Sequence, residues 1–201
     1  QRSPAFLFAS AREARDFGLW INENIEEIRT VAQGTTSVGL LEGVTQFAVG
    51  PNLYLRFDYT TGDAAGQNMT SKATNAACQW ITSAYPHGAD FILSGNIDTD
   101  KKHSQINTLL SRGKRVIAEV TTTAHTLQNL VGVSPKDLFR ARQVSQAGAF
   151  MAGSANNGAH AANGLTALFI ATGQDVANIA ESHSGLLYTQ LLDNGDYYWS
   201  I

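Results

Sequence analysis

The chain has 201 residues, of which 43% are hydrophobic and 15% charged, with 14 lysines and arginines against 17 aspartates and glutamates. This composition is typical of a globular protein with a sizeable core, and the scattered charge argues against a nucleic-acid partner or an anionic membrane surface. No apolar run is long enough to span a membrane, and the first residues lack the order of a signal peptide. The single cysteine, Cys78, is predicted to be a buried thiol, which favours a cytoplasmic location.

The first half of the chain alternates strand and helix patterns. Its predicted elements, in chain order, are a strand at 5–9, a helix at 11–32, strands at 36–49 and 52–60, a helix at 69–84 and a strand at 89–94. Gly50-Pro51 between the two middle strands is a turn signal and predicts a hairpin. The order βαββαβ is that of a ferredoxin-like domain, here predicted within residues 1–97.

The second half, residues 98–201, is predicted to mix helices with strands, which makes the fold class α+β. Ser134-Pro135 followed by Asp137 predicts the start of a helix, and Asp193-Asn194-Gly195 predicts a hairpin turn. Residues 157–180 are small and almost uncharged, so a helix there is expected to be buried against other helices.

Charge is concentrated in residues 94–102, "SGNIDTDKK", where two carboxylates and two ammonium groups fall within five residues. On the residues alone, a solvated turn with weak surface pairing is the favoured interpretation, and Asp98 is interpreted as solvated. His160 is interpreted as a packed core histidine. The other histidines show no metal-ligand spacing, so no metal is predicted.

Four long blocks carry a family resemblance. They are "NLYLRFDYTTGDAAGQNMTSKAT" (52–74), "SGNIDTDKKHSQIN" (94–107), "RGKRVIAEV" (112–120) and "MAGSANNGAHAANGLTALFIATGQDVAN" (151–178). In this order they resemble 3-hydroxy-3-methylglutaryl-CoA reductases of the eukaryotic type, class I, over nearly the whole chain. The resemblance implies a ferredoxin-like nucleotide-binding domain packed on a larger substrate domain, of which residues 98–201 are a truncated remnant. It also implies a homodimer, because active sites in that family lie between subunits.

The resemblance assigns roles to individual residues. Lys101 matches the family's catalytic lysine, which stabilises the oxyanion formed as a thioester carbonyl is reduced, and Asp175 matches the catalytic aspartate of the "GQD" motif. Asp100 stands beside the lysine and completes the candidate catalytic set. Lys101 is the expected partner of Asp175, since a buried carboxylate needs one. The matching motifs place the substrate-binding candidates at Ser94, Asn96, Lys102 and Asn163.

The chain also departs from the family pattern. The arginine and the second lysine that hold the substrate carboxylate fall on Leu7 and Val144, which suggests that these positions contact an apolar substrate instead. The family's catalytic glutamate and histidine belong to segments before and after this sequence. The loop at 63–69 resembles the nucleotide loop, with Asp63, Gly66 and Asn68 as vestigial cofactor-binding residues. The pair that binds the 2′-phosphate of NADPH falls on Thr36-Ser37, which carries no cation.

These departures favour a redox-neutral enzyme that uses no cofactor. The expected reaction is a cyclisation or isomerisation, including a cycloaddition, of an apolar carbonyl-bearing small molecule of terpenoid or polyketide type, with Lys101 as hydrogen-bond donor. One alternative is an NADPH-dependent HMG-CoA reductase of the mevalonate pathway, or a fragment of one. A second alternative is a non-catalytic pseudoenzyme.

Overall fold

The computed structural model describes residues 1–63, 66–110, 113–154 and 161–201. The chain divides into two compact units, Gln1–Asp100 and Lys101–Ile201. The sequence predicts the division between residues 97 and 98. No helix within the described ranges has the length and apolar character needed to cross a membrane.

The first unit contains four strands and three helices. They are β1 (Ala5–Leu7), α1 (Ala11–Glu23), α2 (Ile25–Gln33), β2 (Leu40–Val49), β3 (Asn52–Thr60), α3 (Gln67–Ala84) and β4 (Asp90–Ile92). The strands form one sheet in the order β2-β3-β1-β4, and every neighbouring pair is antiparallel. The middle strands β2 and β3 form the expected hairpin. This strand order is that of a ferredoxin-like sheet, so the predicted architecture of the first unit is confirmed.

The predicted helix at 11–32 is two helices, because the chain breaks at Asn24. Asn24 has φ −111° and ψ 21°, and its side-chain Nδ2 donates to the Trp20 carbonyl at 2.8 Å. Asparagine competes in this way for backbone hydrogen bonds and so favours helix ends. At the other end of α1, the Ser10 hydroxyl accepts from the Glu13 amide at 3.2 Å and caps the helix.

The core of the first unit lies between the helices and one face of the sheet. Phe17 is fully buried, with ring centroids 4.8 Å from Phe6 and 4.9 Å from Tyr85. Cys78 on α3 is also fully buried, which confirms the predicted buried thiol. Burial disfavours the thiolate and raises the pKa of Cys78.

The second unit combines helices with a three-stranded sheet of order β5-β7-β6. Its elements are α4 (Gln105–Leu110), β5 (Glu119–Thr122), α5 (Ala124–Thr126), a π-helix (Leu127–Val131), α6 (Pro135–Met151), α7 (Ala161–Ala171), a 3₁₀ turn (Val176–Asn178), α8 (Ile179–Ser182), β6 (Tyr188–Leu191) and β7 (Tyr197–Ser200). The Ser134 hydroxyl accepts from the Asp137 amide at 3.1 Å, so the predicted helix start is confirmed. The hairpin between β6 and β7 is also present, with Gly195 at φ +86°.

The predicted burial of the small-residue helix is wrong. No residue of α7 is buried, and Leu168 and Ile170 are 54% and 66% exposed. The helix ends at Ala171 and is followed by a turn with Gly173 at φ +69°. An apolar composition indicates that a helix surface should be buried, but it does not identify the surface that packs against it. The described part of this chain does not cover α7.

Candidate functional site

The charged segment at 94–102 has an unusual backbone. Asn96, Thr99 and Lys101 adopt φ values of 70°, 54° and 57°, and they are the non-glycine residues with positive φ among those that the structure describes. Each such residue costs on the order of 1–3 kcal/mol and persists only where its surroundings fix it. Strain of this kind clusters at functional sites, so the backbone independently points to the segment that carries Lys101.

Lys101 forms an ion pair with Asp175 in the second unit, as expected from the sequence. The Lys101 Nζ lies 2.7 Å from the Asp175 Oδ2. The other carboxylate oxygen of Asp175 accepts from the Ala177 amide at 3.0 Å and caps the 3₁₀ turn that follows. The hydrogen bond from Lys101 lowers the pKa of Asp175, and the Ala177 amide lowers it further.

The setting of Asp175 differs from the expected one. The sequence places it in a buried helix, but its side chain is 47% exposed and that of Lys101 is 39% exposed. Asp175 lies after α7 has ended, at the start of a new turn, where its carboxylate has amide donors. The carboxylate of Asp175 balances the charge of the Lys101 ammonium group. The ammonium group has three N–H donors and can stabilise negative charge that develops on a nearby oxygen.

Asp98 and Asp100 belong to a polar cluster in the first unit. Arg2 Nη1 donates to Asp98 Oδ2 at 3.0 Å, and Arg2 Nη2 lies 3.8 Å from Asp100 Oδ2. Gln67 Nε2 donates to Asp100 Oδ1 at 3.0 Å, and Arg2 Nη2 also donates to Ser71 Oγ at 2.8 Å. The Asp98 side chain is only 1% exposed, so the interpretation of Asp98 as solvated is wrong. Its partner is 96 residues away in the sequence, beyond the reach of any local pattern.

The remaining predicted substrate residues are exposed. Ser94 and Asn96 lie in the loop after β4, Lys102 follows Lys101, and Asn163 lies on α7. The Lys102 carbonyl accepts from Asn107 Nδ2 at 3.4 Å. Leu7 at the end of β1 is 38% exposed, and Val144 on α6 is 68% exposed. His160 lies outside the described residues.

The predicted nucleotide loop leads into α3. Gly66 has φ +67° and precedes the helix, and no side chain caps the helix there. A Cβ on Gly66 would lie 2.8 Å from the Thr61 Cγ2, so this glycine allows a close backbone approach. Asp63 and Asn68 are exposed on either side of Ala64-Ala65, which fall outside the described residues. The N-terminus of a long helix is a common position for a bound phosphate group.

The region predicted to hold the 2′-phosphate does not fit that group. The Thr36 hydroxyl accepts from the amides of Val38 and Gly39 at 3.2 and 3.1 Å, so it is engaged in its own turn. Ser37 is exposed and neutral, and residues 30–55 contain no lysine or arginine. A bound phosphate dianion is normally paired with a lysine or arginine, and positions 36 and 37 carry neither.

The sequence does not predict a cavity that the structure shows in the second unit. It has a volume of about 650 Å³, and its lining includes Lys114, Arg115, Glu181, His183 and Ser184. Neither Lys101 nor Asp175 lines it. Its lining residues are contributed by several elements far apart in the sequence, which explains why no motif indicates it.

The comparisons with known proteins identify a family. The family model described as hydroxymethylglutaryl-coenzyme A reductase matches residues 1–201. A 3-hydroxy-3-methylglutaryl-coenzyme A reductase from Aeropyrum pernix is 36% identical over this whole chain and 48% of its own length. The enzymes of that name from Pyrococcus horikoshii and Drosophila melanogaster are 37% and 40% identical, over 49% and 20% of their lengths. The chain spans about half the length of the archaeal relatives that it matches, and it belongs to the hydroxymethylglutaryl-coenzyme A reductase family.

Proposed function

We propose that this chain carries part of the active site of an NADPH-dependent HMG-CoA reductase. The observation that supports this most directly is the 2.7 Å ion pair between Lys101 and Asp175, two residues that lie in separate motifs of the family. The relatives that the chain matches over its full length are named as this reductase. This proposal replaces the redox-neutral reaction as the favoured function.

In this reaction Lys101 acts on the carbonyl oxygen of a thioester. As a C–H bond forms at the carbonyl carbon, negative charge collects on the oxygen, and the ammonium group donates a hydrogen bond to it. Asp175 restricts where the Lys101 Nζ lies, because a salt bridge with a capping carboxylate limits the lysine rotamers. NADPH, when bound, supplies the hydride.

The first unit would hold the nucleotide at the start of α3. Gly66 lets the chain before α3 pack closely against Thr61, and backbone amides of the first turn would bind a phosphate. Ser94, Asn96, Lys102 and Asn163 are the proposed substrate contacts. The family's glutamate and histidine would complete the site from outside this sequence, within a homodimer.

Leu7 and Val144 favour a second candidate function. Both stand where the family has a cation for the substrate carboxylate, and both are exposed apolar side chains. They support an apolar substrate and redox-neutral cyclisation or isomerisation, in which Lys101 polarises a carbonyl without any hydride transfer. The pseudoenzyme alternative predicts no dependence of chemistry on Lys101.

A titration followed by an activity assay separates these functions. A polypeptide that includes the segments carrying the family's glutamate and histidine is titrated with NADPH while nucleotide fluorescence is recorded, and NADPH oxidation is then followed at increasing HMG-CoA. The reductase proposal predicts saturable binding and oxidation that is lost in Lys101→Ala and kept in Lys136→Ala, which removes an exposed lysine at the start of α6. Absence of saturable NADPH binding by the folded protein would refute the reductase proposal. Oxidation that is equal in the two variants would refute the role of Lys101.

A further inference from the structure

We propose that Asp98, through its ion pair with Arg2, is a positioning residue for the segment that carries Lys101. The meaning of this role for catalysis rests on the function proposed above. The family resemblance puts a small or neutral residue at position 98, whereas this chain has a buried carboxylate there. Burying a charge costs free energy unless the charge is paired. A carboxylate buried at position 98 is therefore expected to have a physical role.

The guanidinium of Arg2 is held by regular elements of the first unit. The Arg2 amide donates to the Phe57 carbonyl at 3.1 Å, and the Phe57 amide donates back to the Arg2 carbonyl at 2.8 Å, so Arg2 extends the sheet beside β3. Its guanidinium also donates to Ser71 on α3 at 2.8 Å. The guanidinium that meets Asp98 is therefore fixed by the sheet and by a helix, and it is 13% exposed.

Residues with positive φ flank the carboxylate of Asp98. Asn96 lies two residues before Asp98 and Thr99 directly after it, both with positive φ. The Asp98 carbonyl accepts from the Thr99 hydroxyl at 2.7 Å, and the Thr99 amide donates to the Asn96 carbonyl at 3.1 Å. These short-range bonds close the turn but connect it to nothing outside the segment. The bond from Arg2 to Asp98 is one of the contacts that tie the turn to the rest of the first unit.

The residue that directly precedes Lys101 belongs to the same polar cluster. Asp100 accepts from Gln67 at 3.0 Å and lies 3.8 Å from Arg2, so the same cluster also holds the residue immediately before Lys101. Two carboxylates around one guanidinium fix the backbone at 98 and at 100, and Thr99 between them is held in its disfavoured conformation. Loss of the carboxylate at Asp98 should therefore let the segment relax toward negative φ values, with the rest of the unit still folded.

The test compares Asp98→Asn with Asp16→Asn, a control that removes a carboxylate from an exposed surface pair. Hydrogen exchange is measured on the amides of residues 96–101 of the complete protein. The position of Lys101 is followed by NMR of its ¹³C-dimethylated amine, assigned with Lys101→Arg. We expect exchange in the segment to rise about tenfold or more and the Lys101 signal to move in Asp98→Asn only, since breaking a buried pair opens the structure locally.

Several outcomes are distinguishable. Unchanged exchange and an unchanged Lys101 signal in folded Asp98→Asn would overturn the proposal. If Asp98→Asn does not fold, the same measurements are made on Arg2→Lys. This variant keeps the positive charge but loses the planar guanidinium that donates to Asp98. A Lys101 signal equal to wild type in Arg2→Lys would also overturn the proposal. Where NADPH oxidation is measurable, we expect kcat to fall with KM nearly constant. A relaxed segment in a protein whose wild type oxidises no NADPH would refute the reductase function and leave the positioning role intact.

Discussion

Replacement of Gly66 by alanine tests whether the chain before α3 depends on the close packing of Gly66 against Thr61. Two effects are expected. An alanine at φ +67° costs about 1–2 kcal/mol in backbone strain alone. The new Cβ would also lie 2.8 Å from Cγ2 and 2.9 Å from Cβ of Thr61, and a β-branched side chain cannot move both atoms away by rotation.

Gly62 is the matched control, because it isolates the first effect. It has φ +70°, and a Cβ there would meet no atom within 4 Å. Gly62→Ala should therefore lower the free energy of unfolding by about 1–2 kcal/mol. Gly66→Ala should lower it by about 2–4 kcal/mol, since overpacking against a fixed neighbour adds about 1–3 kcal/mol, less whatever the chain recovers by shifting.

Urea unfolding followed by tryptophan fluorescence gives both values. The same variants are titrated with NADPH, and we expect Gly66→Ala to weaken binding more than Gly62→Ala because it displaces the start of α3. Equal destabilisation by the two substitutions would refute the reasoning, because it would mean that the contact with Thr61 does not constrain the loop.

Three further predictions concern single groups. The carboxyl of Asp175 should titrate below the ordinary value of 3.8 in a ¹³C NMR pH series, and Lys101→Met should move it back up. Because that pKa is lowered on folding, the stabilisation is present above pH 3.8 and is lost as the pH falls through the folded value; a titration at 3.8 or above would contradict the pairing. Ser37→Arg should tighten NADPH binding in calorimetry and leave NADH binding unchanged, since it adds a cation at an exposed position; equal effects on both nucleotides would count against that location for the 2′-phosphate. Cys78 should not react with a thiol reagent at pH 8 until urea unfolds the first unit, and rapid reaction of the native protein would show that the thiol is accessible.

The fold of the first unit is readable from the sequence because its signals are local. Alternation of apolar residues, Gly50-Pro51 between two strand patterns and helical spacing in α3 are each contained within a short stretch. The break at Asn24 is missed because the apolar spacing continues through it, and the side-chain bond from Asn24 to the Trp20 carbonyl is not visible in that spacing. The exposure of α7 is missed for another reason. Composition indicates that the helix is apolar, but it does not show which residues lie next to it.

The sequence predicts only part of the candidate site, because several contacts in the site join residues that are far apart in the sequence. The resemblance of two motifs identifies Lys101 and Asp175, which lie 2.7 Å apart in the structure. Positive φ at Thr99 and Lys101 leaves no mark in a sequence, and the partner of Asp98 lies 96 residues away.

These long connections also explain why charge is dense at 94–102. The favoured local interpretation was that neighbouring aspartates and lysines pair with one another at the surface. Instead, Asp98 and Asp100 are held by Arg2 in the first unit, while Lys101 reaches Asp175 in the second. The partners are distant in the sequence, the two aspartates share Arg2, and a buried carboxylate at 98 would be too costly to keep without that cation. A charge cluster in a lightly charged chain is therefore better interpreted by finding each member's long-range partner than by counting opposite charges nearby.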